Sequence, residues 1–174
     1  MLKSDVQEEV YYGRIVADDW SIYIAATEKG LCFVGSYNEG YEEMKSWFAR
    51  RRPDARLIED ANRLSDYKEQ LLEYLKGERE HFNLPIDLIG TAFQTAVWEE
   101  LQKIPFGKTT TYSTIAEQIK RPASVRAVGT AIGSNPVLIV VPCHRVIAKS
   151  GKMAGYRGGI PMKERLLELE RSLD

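Results

Sequence analysis

Five aliphatic residues in a row, Val137, Leu138, Ile139, Val140 and Val141, run into Pro142 and then into Cys143, His144 and Arg145. The run has strand length and no polar position to give to solvent, so it reads as a strand buried on both faces. Pro142 stops it, because proline lacks the N–H that the next ladder hydrogen bond needs. Whatever follows is held at the edge of a core. A cysteine placed there, beside a histidine and an arginine, is expected to ionise more readily than a free thiol with a pKa of about 8.5, since neighbouring positive charge favours the thiolate. The most apolar segment of the chain therefore ends in a candidate nucleophile.

Other motifs flank this one. Arg126-Ala127-Val128-Gly129 and Asn135-Pro136 precede Pro142-Cys143-His144-Arg145-Val146, and Gly155-Tyr156-Arg157-Gly158-Gly159 follows it. Together they resemble the O6-alkylguanine-DNA alkyltransferase family, the methylated-DNA–protein-cysteine methyltransferases, and the resemblance runs without a gap over residues 90–170.

At 174 residues the chain is one ordinary domain or two small ones, with enough length to bury a core. It has no apolar run long enough to span a bilayer, and no signal-peptide order at its start, so a cytoplasmic protein without a membrane segment is expected. Cys32 and Cys143 are the two cysteines, which excludes a disulfide framework. With His81 and His144 they lack metal-ligand spacing, so neither a zinc site nor any other cofactor is expected, and nothing calls for more than a monomer.

Charge is unevenly placed. Residues 1–90 hold 12 Lys and Arg against 18 Asp and Glu, whereas residues 91–174 hold 12 against 7. Between Lys103 and Arg157 nine cations face Glu117 alone, a net charge of +8 around the candidate nucleophile. Such a stretch in an otherwise acidic chain suits a polyanionic partner, and a solvated basic face is the alternative.

The N-terminal part reads as a meander, with strands over residues 10–16, 20–27 and 31–36 separated by turns at Asp18-Asp19 and Glu28-Lys29-Gly30. A helix is predicted over 42–52, with Met44, Trp47 and Phe48 inward, then a short strand at 56–59 and a helix over 61–76 with Leu64, Tyr67, Leu71, Leu72 and Leu75 on one face. Cys32 lies in an alternating strand and reads as a small buried hydrophobe. Arg50, Arg51 and Arg52 complement a helix C-terminus, with nucleic-acid contact as the alternative. The boundary falls in the irregular stretch around Pro85, giving an N-terminal α/β domain over 1–85 and a C-terminal domain over 86–174.

Thr91 to Gln94 fits a capping box that starts a helix carrying Phe93, Val97, Leu101 and Ile104. Short helices over 113–120 and 124–134, three residues apart, make a helix-turn-helix. On the second, Val125, Val128 and Ile132 face inward, while Ala123, Ala127, Thr130, Ala131 and Ser134 form a side without bulk, flanked by Arg126. Base-reading side chains are scarce there, which favours sequence-independent binding with small residues in a narrow groove and one inserted side chain. Packing against a neighbouring helix is the other reading. The last helix begins near Pro161 and buries Leu166, Leu169 and Leu173, with Glu170 beside that stripe. By pattern alone Glu170 is solvated.

The family resemblance adds roles. It implies an α/β protein in which an N-terminal antiparallel sheet with helices, ribonuclease-H-like, supports a C-terminal winged helix-turn-helix. It implies that Cys143 takes the alkyl group from O6-alkylguanine in duplex DNA, once per molecule, after the nucleotide is flipped out. Adjacent side chains diverge, so His144 reaches Cys143 through a water, and Glu170 orients the imidazole from its far side. Tyr112 is implied as proton donor to the leaving guanine. Ser124, Arg126, Ala127, Thr130 and Asn135 are implied at the DNA, Arg126 filling the vacated stack and Asn135 as a hinge. Tyr156, Val146, Ala154 and Arg157 are expected around the pocket.

Three positions depart from the family pattern. Ala154 stands where many members have glycine, so methyl transfer with weak reaction toward benzylguanine is expected. Leu138 replaces a proline of some animal members, and Arg157 replaces a serine that bonds O6 in them, so that role is not carried over. The reading requires a sulfur that is reachable from solvent and close to both the imidazole and the basic helix. A cysteine hydrolase and a non-catalytic DNA-binding module are the rivals; the first needs a histidine in direct reach of the thiol, the second leaves Cys143 without work.

Overall fold

The structure, a computed structural model, describes residues 7–153 and 155–171; Ala154 and Leu173 lie outside the described residues. Strands β1 (Glu9–Ala17), β2 (Trp20–Thr27) and β3 (Gly30–Val34) form the expected antiparallel meander. Asp18, in the left-handed region at φ 51°, closes the first hairpin, a conformation that aspartate tolerates through local hydrogen bonding. Helix α1 (Tyr41–Arg51) then crosses the sheet, so β4 (Arg56–Glu59) returns parallel to β1 and completes the order β3-β2-β1-β4.

Alternation along the strands separates two apolar layers. Met44, Trp47 and Phe48 of α1 pack with Val10, Ala25, Cys32 and Phe33 on one face. Burial pushes the Cys32 thiol up to about 12, so it is inert, as its strand position suggests. The other face, with Ile15, Ile22 and Ile24, joins α2 (Ser65–Leu75) and the C-terminal half in one continuous core. Helix α2 starts four residues later than predicted, because the Asp60 carboxylate caps the N–H groups of Asn62 and Arg63 and holds that stretch in a turn. Its buried face includes Tyr74, which the leucine pattern passes over.

The stretch around Pro85 is irregular but docked. Leu31 N–H donates to the Pro85 carbonyl at 2.9 Å and Asp87 N–H to the Leu31 carbonyl at 2.8 Å, and Val34 N–H donates to the Pro136 carbonyl at 2.9 Å. Both halves thus cover the open edge of β3. Gly30 is required there, since a Cβ at that position would lie 2.5 Å from the Pro85 carbonyl oxygen.

Helix α3 (Ala92–Leu101) carries the predicted capping box, with Gln94 N–H donating to Thr91 Oγ1 at 3.1 Å and Thr91 N–H to Gln94 Oε1 at 3.0 Å. Strand β5 (Thr110–Thr111) leads into α4 (Tyr112–Gln118), and α5 (Val125–Gly133) follows, which gives the helix-turn-helix. The sheet beside it is a two-residue parallel ladder of β5 with β6 (Val146–Ile147). Two assignments on α5 are corrected. Val125 is exposed because it is the first residue of the helix, and Ala131 is buried where the Trp98 indole N–H donates to its carbonyl at 2.9 Å.

The aliphatic run is not a strand. It is buried throughout, but only Val137 pairs, in a single bridge with Val34; Ile139 takes φ 72° and Val141 N–H turns back to the Val137 carbonyl. Apolar composition demanded burial, and without a second partner strand the backbone found its hydrogen bonds in turns and in a side chain. A 3-10 turn (Cys143–Arg145) follows. Helix α6 (Ile160–Arg171) closes the fold with Met162, Leu166, Leu167 and Glu170 inward; Leu166 is buried as predicted, Leu169 is partly buried against the core, and Leu167 and Glu170 join the buried face.

Candidate active site

Asn135 sits just beyond α5 and organises the reactive segment. Its side chain accepts from Val137 N–H at 2.9 Å and donates to the Val141 carbonyl at 2.9 Å and to Cys143 Sγ at 3.2 Å. It is fully buried, which corrects its placement among the DNA contacts: no atom of it is free to meet a phosphate, and its work is internal.

The 3-10 turn sends Cys143 and His144 in different directions. His144 Nε2 lies 2.6 Å from Glu170 Oε2, with both side chains buried. Glu170 also accepts from Arg145 Nε at 2.8 Å, Arg145 Nη2 at 3.0 Å, the Tyr74 hydroxyl at 2.5 Å and Gly107 N–H at 3.1 Å. Burial pushes this carboxyl up, yet the bonds from His144, Arg145 and Tyr74 prevail and hold it well below the usual carboxylate range. Glu170 is therefore an anion and can only accept, so His144 Nε2 carries the proton. Burial also holds the imidazole below its ordinary value, against the pull of Glu170, and keeps it neutral. That leaves Nδ1 as the basic nitrogen, and it makes no hydrogen bond to any described protein group.

Cys143 differs from expectation in two respects. It is 3% exposed, so the sulfur lies under cover and is not open to solvent. Burial raises its pKa, only partly offset by the Asn135 hydrogen bond and by the charges of Arg157 and Lys163. Arg145, expected to favour the thiolate, faces away: beyond Glu170 it donates to the Ile104 carbonyl at 2.7 Å and stacks over Phe106. The end of α5 does lie close, since Asn135 bonds to the sulfur itself.

Tyr112, the first residue of α4, and Tyr156 both lie near enough to Cys143 for a thiolate there to raise their own pKa values, after the larger effect of burial. The Tyr156 hydroxyl is buried and has no partner among the described residues. The Val146 carbonyl accepts from Lys163 Nζ at 2.7 Å and keeps a second lone pair. Arg157 is corrected as a pocket-lining residue. Its guanidinium turns into the seam between the halves and donates to the carbonyls of Asn135, Val34 and Pro136 and to Glu43.

On the outer side of α5, Ser124, Arg126, Ala127 and Thr130 line one open groove of about 690 Å³ with Thr91, Phe93 and Gln94 from the start of α3. The α3 residues are additions: the capping box marks Thr91 and Gln94 as a helix start, and no sequence signal places them at the groove. Among the described residues no helix is long and apolar enough to cross a membrane, and no group of three or more His, Cys, Asp and Glu could hold a metal.

Small residues and one long cation on a recognition helix, backed by a thiol with its own histidine and carboxylate, define a DNA-binding protein whose chemistry runs through sulfur. Comparison with known proteins agrees. Residues 10–88 match the ribonuclease-like domain of 6-O-methylguanine DNA methyltransferase, and residues 92–172 match the DNA binding domain of the same protein. The inducible methylated-DNA–protein-cysteine methyltransferase of Bacillus subtilis is 51% identical over 162 residues, covering 93% of this chain and 90% of that one. The methylated-DNA–protein-cysteine methyltransferase of Methanosarcina acetivorans is 38% identical over 163 residues, covering 94% and 99%. Among solved structures, Mycobacterium tuberculosis O6-methylguanine methyltransferase superposes with a TM-score of 0.82 at 39% identity, covering 95% and 94%. The structure of that organism's OGT in complex with DNA gives 0.80 at 40%, covering 93% of each chain. The chain belongs to the methylated-DNA–protein-cysteine methyltransferase family. It binds DNA and repairs O6-methylguanine by moving the methyl group to a cysteine of its own.

Proposed function

We propose that Cys143 is the acceptor cysteine and that Glu170, His144 and a water between Nδ1 and the sulfur form the relay that ionises it. The observation that carries this reading is the 2.6 Å bond between His144 and Glu170, which fixes the tautomer and leaves Nδ1 as the base on the side of the ring away from the carboxylate. The thiol proton passes through the water to Nδ1, and the anion of Glu170 stabilises the resulting imidazolium. The thiolate attacks the methyl carbon on O6; the S–C bond forms, the C–O bond breaks and its electron pair stays with the guanine. Tyr112 supplies a proton to the departing base.

A covered sulfur sets the order of events. The nucleotide must leave the duplex and displace what lies over Cys143 before the thiolate is useful, in keeping with chemistry on an extruded base. Arg126 then occupies the stack, Ser124, Ala127 and Thr130 lie along the backbone in the groove, and Tyr156 and the Val146 carbonyl border the guanine. The thioether product is a poor leaving group, so each molecule reacts once. We place this protein in the cytoplasm as a monomer acting on double-stranded DNA that contains O6-alkylguanine.

Intact-mass measurement with a peptide map after incubation with an O6-methylguanine duplex tests the assignment. One hydrogen replaced by one methyl on the peptide containing Cys143 is the expected result. Methylation of Cys32, or full transfer by a Cys143→Ala variant, would overturn it.

A further inference from the structure

The relay carboxylate receives a bond from the other half of the chain. The Tyr74 hydroxyl, on α2 and 96 residues away in sequence, donates to Glu170 Oε2 at 2.5 Å, and that same oxygen faces His144 Nε2 at 2.6 Å. Burial and the charge of Glu170 push the phenol well above its ordinary value, so it stays protonated and can only be the donor. Its ring is wedged against Phe82 at 5.4 Å and edge-on to Phe106 at 6.2 Å, which fixes the position of the hydroxyl oxygen.

We infer that Tyr74 is a positioning residue of the transfer reaction: its hydroxyl holds the Glu170 carboxylate turned toward His144 and keeps it an anion. The inference rests on the relay proposed above. Arg145 supplies charge, mostly through Oε1, and Gly107 binds Oε1 as well. Tyr74 and Arg145 Nη2 act on Oε2, the oxygen that must take the imidazole N–H without capturing its proton. A donor there weakens the basicity of that oxygen, so the proton arriving from sulfur stays on the ring instead of passing to Glu170. The N-terminal domain thereby contributes one atom to the chemistry of the C-terminal one.

The charged and titratable groups facing this pair are His144 and Arg145 from the 3-10 turn, Lys163 from α6 and Tyr156 from the loop before α6. Around the sulfur stand Arg157, Lys163, Tyr112 and Tyr156. Removing the hydroxyl alone makes Glu170 more basic and raises the pKa of His144 with it.

The test is single-turnover methyl transfer from an O6-methylguanine duplex across pH. Tyr74→Phe should slow transfer about tenfold, the size of one hydrogen bond to a charged group, and move the acid limb of the profile to higher pH with DNA affinity unchanged. A fluorinated tyrosine placed at position 74 keeps the ring and strengthens the donor, so it should move the limb to lower pH; if Tyr74→Phe fails to fold, this arm decides alone. An unmoved acid limb in the fluorinated protein, or a wild-type rate and profile in a folded Tyr74→Phe, would overturn the role of Tyr74. Full activity of His144→Gln would instead overturn the relay itself, so the two failures are distinct.

Discussion

Arg157 and Glu43, 114 residues apart in sequence, hold each other at 3.0 Å across the seam between the two halves. The same guanidinium reaches the Val34 carbonyl at 2.6 Å and the Asn135 carbonyl at 2.9 Å, so one side chain ties β3, α1 and the start of the reactive segment together. Arg157→Ala leaves a partly buried carboxylate and three carbonyls short of a donor. It should lower stability by about 2–3 kcal/mol, read as a shifted urea midpoint. Glu43→Gln, which keeps most of the geometry, should lose less.

Asn135 bonds the backbone at two places and Cys143 Sγ at a third. In Asn135→Ala the irregular run after Pro136 loses its main support, with a loss of about 2–3 kcal/mol for buried groups left unpaired. Methyl transfer should fall further than stability does, since the sulfur is no longer held. Thermal melts and single-turnover rates on the same preparation separate the two effects.

A methyl at position 158 has nowhere to go. It would lie 2.5 Å from Met162 Sδ and 2.7 Å from Tyr156 Cε1. Gly158→Ala should therefore displace the Tyr156 ring, slowing transfer while leaving affinity for undamaged duplex unchanged in a gel-shift titration.

The exposed groove predicts a different response. Arg126→Ala should weaken duplex binding and slow methyl transfer, because nothing then fills the vacated stack, as a gel-shift titration and single-turnover rates would show. A bulky residue in place of the exposed Ala127 should block close approach and abolish binding, leaving thermal stability as it was.

Stability should depend on pH on the acid side. His144 is held below its ordinary value, so below about pH 6.5 the unfolded chain takes a proton that the folded one refuses, and folding weakens as pH falls. Glu170 is also depressed: its contribution is complete above the unfolded carboxylate value of about 4.3 and is lost as pH falls further. Denaturation between about pH 7.5 and 2.5 should show both phases, and His144→Gln should remove the first.

The periodic elements were legible because their signal is local. The meander, α1, the capping box of α3 and the helix-turn-helix all follow from spacing and turn chemistry, whereas pattern alone left Glu170 in solvent and only the family resemblance brought it to His144; it is in fact buried. Residues 137–141 show the limit: five aliphatic side chains specify burial, but the conformation depends on partners, and Asn135 outcompeted a second strand. Tyr74, Glu43 and the inward turn of Arg157 left no local trace, since no periodicity links positions about a hundred residues apart. Sequence adjacency also misled at Arg145, where the 3-10 turn rotates the guanidinium away from its neighbour's sulfur.

The 3% exposure of Cys143 bears on how the proposed acceptor survives until it is needed. Peroxide and mixed-disulfide exchange both begin from an accessible thiolate, and this sulfur is neither accessible nor readily ionised at rest. Each copy can therefore wait for a lesion in its reduced form. Stray oxidants meet a closed surface.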